Sequence, residues 1–403
     1  MRISTPLLYQ QAVSAITDQQ SQLLHLQQQI ASGRRMLTAS DDPVAAAQAL
    51  VVHQSKAETD RFGDNIGNAR DLLGQNDSLL GSISEVLQSV RTTAINAGSG
   101  TVNASDRAAL SSEVASRLAE LIGLANSRDS NGNFMYAGFQ NSAPPFTGGA
   151  GSPVVYGGDQ GMSSVQVSPT RNINVTQTGS ALFETIRNGN GTFVTTPAAA
   201  NTGTGVVGST AVANAASLTG DTYALQFNVS GSTTTYDIVD VTSSTTLSSG
   251  NAYTAGAPIT LAGMTVSLTG APATGDKFTL APSTSQSVFT TLQKLITVLQ
   301  SPTATDTQRA NLTNGLNEAL QNIDHSLETV LTARSEVGAN LRELDGLGSG
   351  NEDRSVQYQQ TLSRLEDLDY NRALSMFSQQ QMALEAAQKS FLKTSGLSLF
   401  NFL

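Results

Sequence analysis

Apolar side chains recur along this chain at two different periods. Between residues 66 and 97 one row, Ile66, Leu73, Leu80, Leu87 and Ala94, alternates three and four positions apart with a companion row, Ala69, Asn76, Ile83, Val90 and Ala97. This is the a/d spacing of a helix that buries one seam against another helix. The pattern returns at Leu316, Ile323, Val330, Val337 and Leu344, with Leu320, Leu327, Arg334 and Leu341 between them. A shorter helix is predicted near residues 106–128, carrying Leu110, Val114, Leu118, Leu121 and Ala125. A helix of about fifty residues is a rod of roughly 75 Å and needs a partner along its length, so the two flanks are expected to pack on each other. Gly346, Gly348 and Gly350 follow the returning series and read as a hinge between two helices.

Between Pro145 and Ser285 the period changes to two. Segments such as Tyr223–Val229 and Thr234–Val241 alternate apolar and polar residues between Gly, Ser and Thr clusters, the pattern of short strands and tight turns. Composition shifts with the period: these 141 residues hold 9 of the chain's 54 charged residues, but 19 of its 35 glycines and 7 of its 11 prolines. The predicted fold class is α+β and multidomain, a long antiparallel helical coiled-coil rod formed by both chain ends with an all-β domain inserted in the middle. The expected domains are a terminal coiled-coil segment (1–42 with 355–403), a helical rod (43–145 with 286–354) and the β insertion (146–285).

The ends carry a sparser stripe. Tyr9, Ile16, Leu23, Ile30 and Leu37 lie seven apart, as do Tyr370, Phe377, Leu384 and Phe391. Eight of the twenty residues from Gln10 to Gln29 are glutamine, and Asp18 is the only charged one among them. Each stripe residue contributes at best ~1.5–3 kcal/mol on burial, against ~1–2 kcal/mol for ordering every backbone unit. Such helices are not expected to be stable alone. Lacking charge, many copies can pack side by side, so both ends read as segments that order on assembly.

Charge and residue usage narrow the function further. With 22 Lys+Arg against 32 Asp+Glu, the net charge of −10 argues against a nucleic-acid surface. No cysteine is present, which removes disulfides, thiolate metal sites and cysteine nucleophiles, and three histidines argue against a multi-histidine metal site. No cofactor is expected. No window approaches the ~20 apolar residues of a membrane span, and the sequence MRISTPLLYQQ lacks the basic-then-apolar run of a cleaved signal.

Local motifs favour structural readings. In residues 39–46, ASDDPVAA, Asp42 suits a helix N-cap and Pro43 the first helical turn, while Asp41 adds charge at the positive end of the dipole. Asp41, Asp42 and Pro43 therefore mark a helix start and domain boundary. Asp129-Ser-Asn-Gly-Asn133 superficially matches a calcium loop, but its glycine falls at position 4 instead of 6 and no glutamate follows at 12. His25 and His53 fall on helices without a second ligand four residues on. No catalytic residues are assigned.

With these elements placed, the chain resembles the flagellin superfamily, and within it the hook-associated proteins of the hook–filament junction. The resemblance rests on residues 29–46 (QIASGRRMLTASDDPVAA), 131–146 (NGNFMYAGFQNSAPPF), 333–344 (ARSEVGANLREL), 365–370 (LEDLDY) and the tail 397–403 (LSLFNFL). Pro43 directly after Asp42, and Phe400 and Phe402 in the tail, resemble the junction proteins more than the filament subunits. The resemblance implies a structural protein that leaves the cell through the flagellar type III export channel without a cleaved signal peptide. It would assemble between hook and filament, outside the cell, and template flagellin polymerisation. Implied partners are further copies of the chain in a ring or helical layer, the other hook-associated junction protein, flagellin, and an export chaperone on the C-terminal helix. The implied assembly interface comprises Tyr9, Ile16, Leu23, Ile30, Leu37, Tyr370, Phe377, Leu384 and Phe391, with Leu397, Leu399, Phe400, Phe402 and Leu403 of the tail. A minor flagellin is the nearest alternative. A secreted adhesin or polysaccharide-active protein carried on the β region is another, though the chain has no tryptophan to stack on sugars.

Overall fold

A computed structural model of the chain describes residues 5–396. The stripe-bearing segments form helices α1 (Thr5–Ser32) and α6 (Tyr370–Gly396), and the long periodic series form α2 (Pro43–Ala97) and α5 (Asp306–Glu366). The contacts divide the chain into two units, Met1–Asn65 with Gly346–Leu403, and Ile66–Asp345.

In the larger unit α2 and α5 pack antiparallel, as the periodicity predicts. Ile66, Leu73, Leu80, Leu87 and Ala94 are all buried, and so are Leu316, Ile323, Val330, Val337 and Leu344. Ion pairs along the rim, Arg70–Asp345 (2.8 Å), Arg334–Asp77 (2.9 Å) and Arg91–Asp324 (2.6 Å), match positions in this alignment. Their side chains are partly exposed, so each adds only ~0–1 kcal/mol. The companion row on α5 departs from expectation. Leu320, Leu327 and Leu341 are half-buried and Arg334 is exposed, while Ala319, Asn322 and Ser326 are buried. The reason is that α5 meets the β region as well as α2. Asn314 accepts from the Val207 N–H (2.8 Å) and donates to the Gly205 carbonyl (3.0 Å), and Asn322 accepts from the Gly189 N–H (3.1 Å). Polar residues sit on this face because it satisfies backbone groups that would otherwise be buried unpaired.

A second correction concerns the glycines at 346, 348 and 350: α5 runs through them without a break. Each mid-helix glycine costs ~1 kcal/mol relative to alanine, which the packing of a 61-residue helix outweighs.

Helix α3 (Ala104–Ala125) starts at a capping box in which the Asn103 side chain and Asp106 satisfy each other's backbone N–H groups. It packs on α4 (Val288–Leu299), and the chain between them builds the base of the β region. There Tyr136 is fully buried and its hydroxyl donates to Asn76 of α2 at 2.8 Å. Burial pushes its phenol pKa well above the ordinary value. Tyr136→Phe is expected to cost ~1–3 kcal/mol, because it strands the Asn76 carbonyl in the core. Urea unfolding of the purified variant measures this loss.

The β region is wholly antiparallel. A five-stranded sheet has the order β10 (Thr245–Ala252), β9 (Thr233–Asp240), β8 (Tyr223–Ser230), β13 (Lys277–Pro282), β6 (Phe193–Pro197). A three-stranded sheet has the order β11 (Pro258–Leu261), β12 (Met264–Thr269), β7 (Val206–Val212). One shared core of Leu225, Phe227, Val266, Leu268, Phe278 and Leu280, with neighbouring apolar residues, lies between them. The two segments read as strands from their alternation form the β8–β9 hairpin in full register. Small hairpins β1 (Phe146–Gly149) with β2 (Ser152–Tyr156), and β3 (Ser164–Ser168) with β4 (Arg171–Asn174), lie between α3 and this sandwich in sequence, and β5 (Ile186–Arg187) pairs with β14 (Ser285–Gln286).

Candidate assembly interface

In the smaller unit α1 and α6 lie side by side, antiparallel. Tyr9 meets Phe391 edge-on, ring centroids 5.2 Å apart, and Gln380 donates to Gln22 at 2.6 Å. The stripe residues lie along this pair except Leu37, which falls in the loop after α1 because the helix ends at Ser32, and a single partner helix covers the others incompletely. Ile16, Leu23, Ile30, Leu37, Phe377, Leu384 and Phe391 are half-buried, while Tyr9 and Tyr370 remain 43% and 50% exposed. Ala373 is the one fully buried apolar residue on the described part of α6. Outside the stripe, Val13, Leu24, Leu374, Met382 and Leu392 are exposed. Two helices of narrow apolar face therefore leave a substantial apolar area in water, which is the condition under which further copies gain by packing. Leu397, Leu399, Phe400, Phe402 and Leu403 lie outside the described residues.

Both chain ends leave their rod helices at one joint. The loop 33–42 joins α1 to α2, and Asp367–Asp369 separates α5 from α6. Arg34 and Asp367 form an antiparallel bridge, the Arg35 N–H donates to the Glu366 carbonyl (2.7 Å), and the Leu368 N–H donates to the Gly33 carbonyl (3.0 Å). The Arg35 guanidinium donates twice to the Leu365 carbonyl (3.2 and 2.8 Å) and once to Asp42 (3.3 Å). Gly33 has φ +71°, and a Cβ there would lie 3.0 Å from the Tyr370 hydroxyl, so both backbone and space call for glycine.

The acidic pair divides its work. Asp42 caps α2 by accepting from the Ala45 N–H (3.1 Å), and Pro43 is the first helical residue. Asp41 instead holds the loop, accepting from Leu37 (2.8 Å) and Thr38 (2.9 Å), with His25 at 3.2 Å. The backbone bonds from Thr38 and Leu37 hold its carboxyl at about 2, well below the usual range. Because the folded value is depressed, this contribution is present above the unfolded value of about 4 and disappears as pH falls through the folded value. Amide protection at Leu37 and Thr38, corrected for intrinsic exchange, is therefore expected to fall between about pH 4 and 2. In Asp41→Asn that step should vanish. His53 is exposed and pairs with Glu366 at the end of α5 (2.7 Å).

Four of the six carboxylates of the β region are engaged with backbone. Asp159 accepts from Phe139, Gln140 and Gly161, Asp240 from Thr242 and Ser243, Asp237 from Gly250, and Asp276 from Thr202, Gly203 and Ala273. These are turn contacts, and the bonds to Phe139, first in effect, and then Gly161 hold the Asp159 pKa below its ordinary value. Asp129, first in the calcium-like loop, folds back on the N–H groups of Asn131 and Asn133. Among the described residues no group of three or more His, Asp or Glu is placed to hold a metal, and no helix is long and apolar enough to cross a membrane.

Sequence periodicity located the stripe but missed the joint. Arg35 acts on a main-chain carbonyl 330 residues away, and no side-chain pattern announces such a partner.

This architecture has known counterparts. Residues 3–141 match the model of the bacterial flagellin N-terminal helical region. The flagellar hook-associated protein 3 of Salmonella typhimurium is 25% identical over 401 residues, covering 99% of both chains. A crystal structure of FlgL from Xanthomonas campestris is 32% identical and superposes with a TM-score of 0.71, covering 77% of this chain and 99% of that one. The flagellar junction protein FlgL from Legionella pneumophila is 27% identical with a TM-score of 0.71, covering 79% of this chain and 100% of that one. Nearly the whole of the solved Xanthomonas chain is thus matched with about a third of its aligned residues identical, and the protein belongs to the FlgL family of flagellar hook-associated proteins.

Proposed function

We propose that this protein is a structural junction protein of the bacterial flagellum, placed outside the cell between hook and filament, where it templates flagellin polymerisation. The observation that carries this reading is the incompletely covered α1–α6 stripe in a chain of this family. One helix pair leaves Leu23, Phe377 and Leu384 half-exposed, and a layer of further copies supplies the missing apolar surface. The segments 1–42 and 355–403 act as the assembly core, gaining most of their order when they are packed among neighbours. The rod 43–145 with 286–354 forms the next layer, and the β insertion 146–285 projects from it.

Marginal order of the ends also suits passage through the flagellar type III export channel without a cleaved signal. Until then an export chaperone covers the α6 stripe at Phe377, Leu384 and Phe391. In the finished structure the faces contact further copies of the chain, the other hook-associated junction protein and flagellin. The family is structural, and four of the six β-region carboxylates are held in turns, which supports a mechanical role.

Electron microscopy of cells lacking the gene, with flagellin assayed in the medium, tests the proposal. Hooks without filaments, together with exported but unpolymerised flagellin, are the expected result. Filaments of normal length would reject it in favour of a minor filament subunit.

A further inference from the structure

The apolar stripes of α1 and α6 do not by themselves select one alignment. Both repeat every seven residues, so sliding one helix by a heptad, ~10 Å, sets the same kinds of residues opposite each other. Charge gives no correction on α1, where Asp18 is the only charged residue. Glutamines are the commonest residues between, and a slip of one heptad, which sets Gln22 opposite Ala387, gives up only the exposed hydrogen bond between Gln22 and Gln380. Helices of this composition are prone to slip.

The structure nevertheless holds one continuous register. Arg34 pairs with Asp367, Gln22 with Gln380 and Tyr9 with Phe391. From the first of these pairs to the last, the N-terminal segment runs back 25 positions while the C-terminal segment runs on 24. Besides the Gln22–Gln380 bond, the contacts among the described residues that do not repeat with the heptad lie at the joint: the Arg34–Asp367 bridge, Arg35 N–H to Glu366, Leu368 N–H to Gly33, and the fork of Arg35 on the Leu365 carbonyl. A slip of one heptad would break all of them together.

We propose that this joint is the register stop of the terminal helix pair, and that Arg35 is its positioning residue. The guanidinium is suited to this because its planar fork fixes direction as well as distance, and Asp42 at 3.3 Å orients it from the side of α2. Gly33 lets the chain turn close enough to Tyr370 for the backbone bonds to form. The inference deepens the reading of α1 and α6 as the assembly core, since a slipped pair would present its stripe one heptad out of line to every neighbour. It concerns pairing within one chain, however, and is tested without any assembly.

The absence of native cysteine makes the test clean. In the full-length chain, Gln22→Cys with Gln380→Cys reports the observed register, and Gln22→Cys with Ala387→Cys reports a slip of one heptad. Disulfide formation under mild oxidation traps even a transient pair. The in-register pair is expected to close at least about ten-fold faster than the slipped one, and Arg35→Ala should bring the two rates to within about two-fold. Arg35→Lys keeps the charge opposite Asp42 but loses the fork, and should give an intermediate ratio. It also serves where Arg35→Ala loses its helical circular dichroism. Equal rates in the parent chain, or an unchanged ratio in both Arg35 variants, would overturn the proposal. A wrong junction assignment shows up separately, as normal filaments in cells lacking the gene with the in vitro ratio intact.

Discussion

Leu384→Asp is expected to abolish junction assembly while leaving the rod folded. Leu384 is half-buried on the α6 stripe and lies outside the seam between α2 and α5. Losing a leucine from an apolar contact removes ~1.5–3 kcal/mol, and enclosing an unpaired carboxylate adds several kcal/mol more. In a layered assembly that penalty recurs in every subunit. Purified Leu384→Asp should keep the parent's circular dichroism apart from a small loss at the ends, and cells carrying it should bear hooks without filaments. Normal filaments would show that this face of α6 is not an assembly contact.

The largest stability effect is expected at the base of the β region, from Phe146→Ala. Phe146 is 2% exposed, with ring centroids of Tyr156, Phe183 and Phe289 at 5.1, 5.3 and 5.0 Å. Asn126 holds its backbone on both sides, accepting from the N–H (2.9 Å) and donating to the carbonyl (2.8 Å), so the site cannot readily collapse into the space left. A loss of about 3–5 kcal/mol follows from the cavity and lost transfer energy. In a unit of this size that lowers the midpoint by about 10 °C. Leu247→Ala, at a side chain 56% exposed on β10, serves as the control and should stay within about 0.5 kcal/mol of the parent. Thermal unfolding followed by circular dichroism distinguishes them.

How much of this was legible beforehand depended on whether a residue's partner lies on its own period. Ile66 to Ala94 and Leu316 to Leu344 announce a helix seam because one apolar row is buried by one other row. Asn314 and Asn322 carry no such announcement: polar residues on a helix ordinarily face water, and only the β-region backbone opposite explains their burial. Leu320, Leu327 and Leu341 were misplaced for the complementary reason, since a helix contacting more than one neighbour no longer keeps a single a/d frame. The glycines at 346–350 signal a break by local propensity, and that preference of ~1 kcal/mol each yields to packing. The terminal stripes are legible as rows as far as the helices run, and Leu37 drops out because α1 ends at Ser32. The joint that aligns them was not, because its bonds run to main-chain carbonyls whose identity any residue could supply.

The way α5 holds the β region has a consequence for how the molecule can diversify. Asn314 and Asn322 grip Gly205, Val207 and Gly189 through peptide groups and not through side chains. A mount of this kind is indifferent to most of what it carries. Strand faces, loop tips and even hairpin lengths beyond β7 can be rewritten without loosening this seat, provided the chain still delivers its backbone groups to Asn314, Asn317, Asn322 and His325. The sandwich beyond β7 is in this sense a replaceable cartridge, and change on its surface need not be felt by α5.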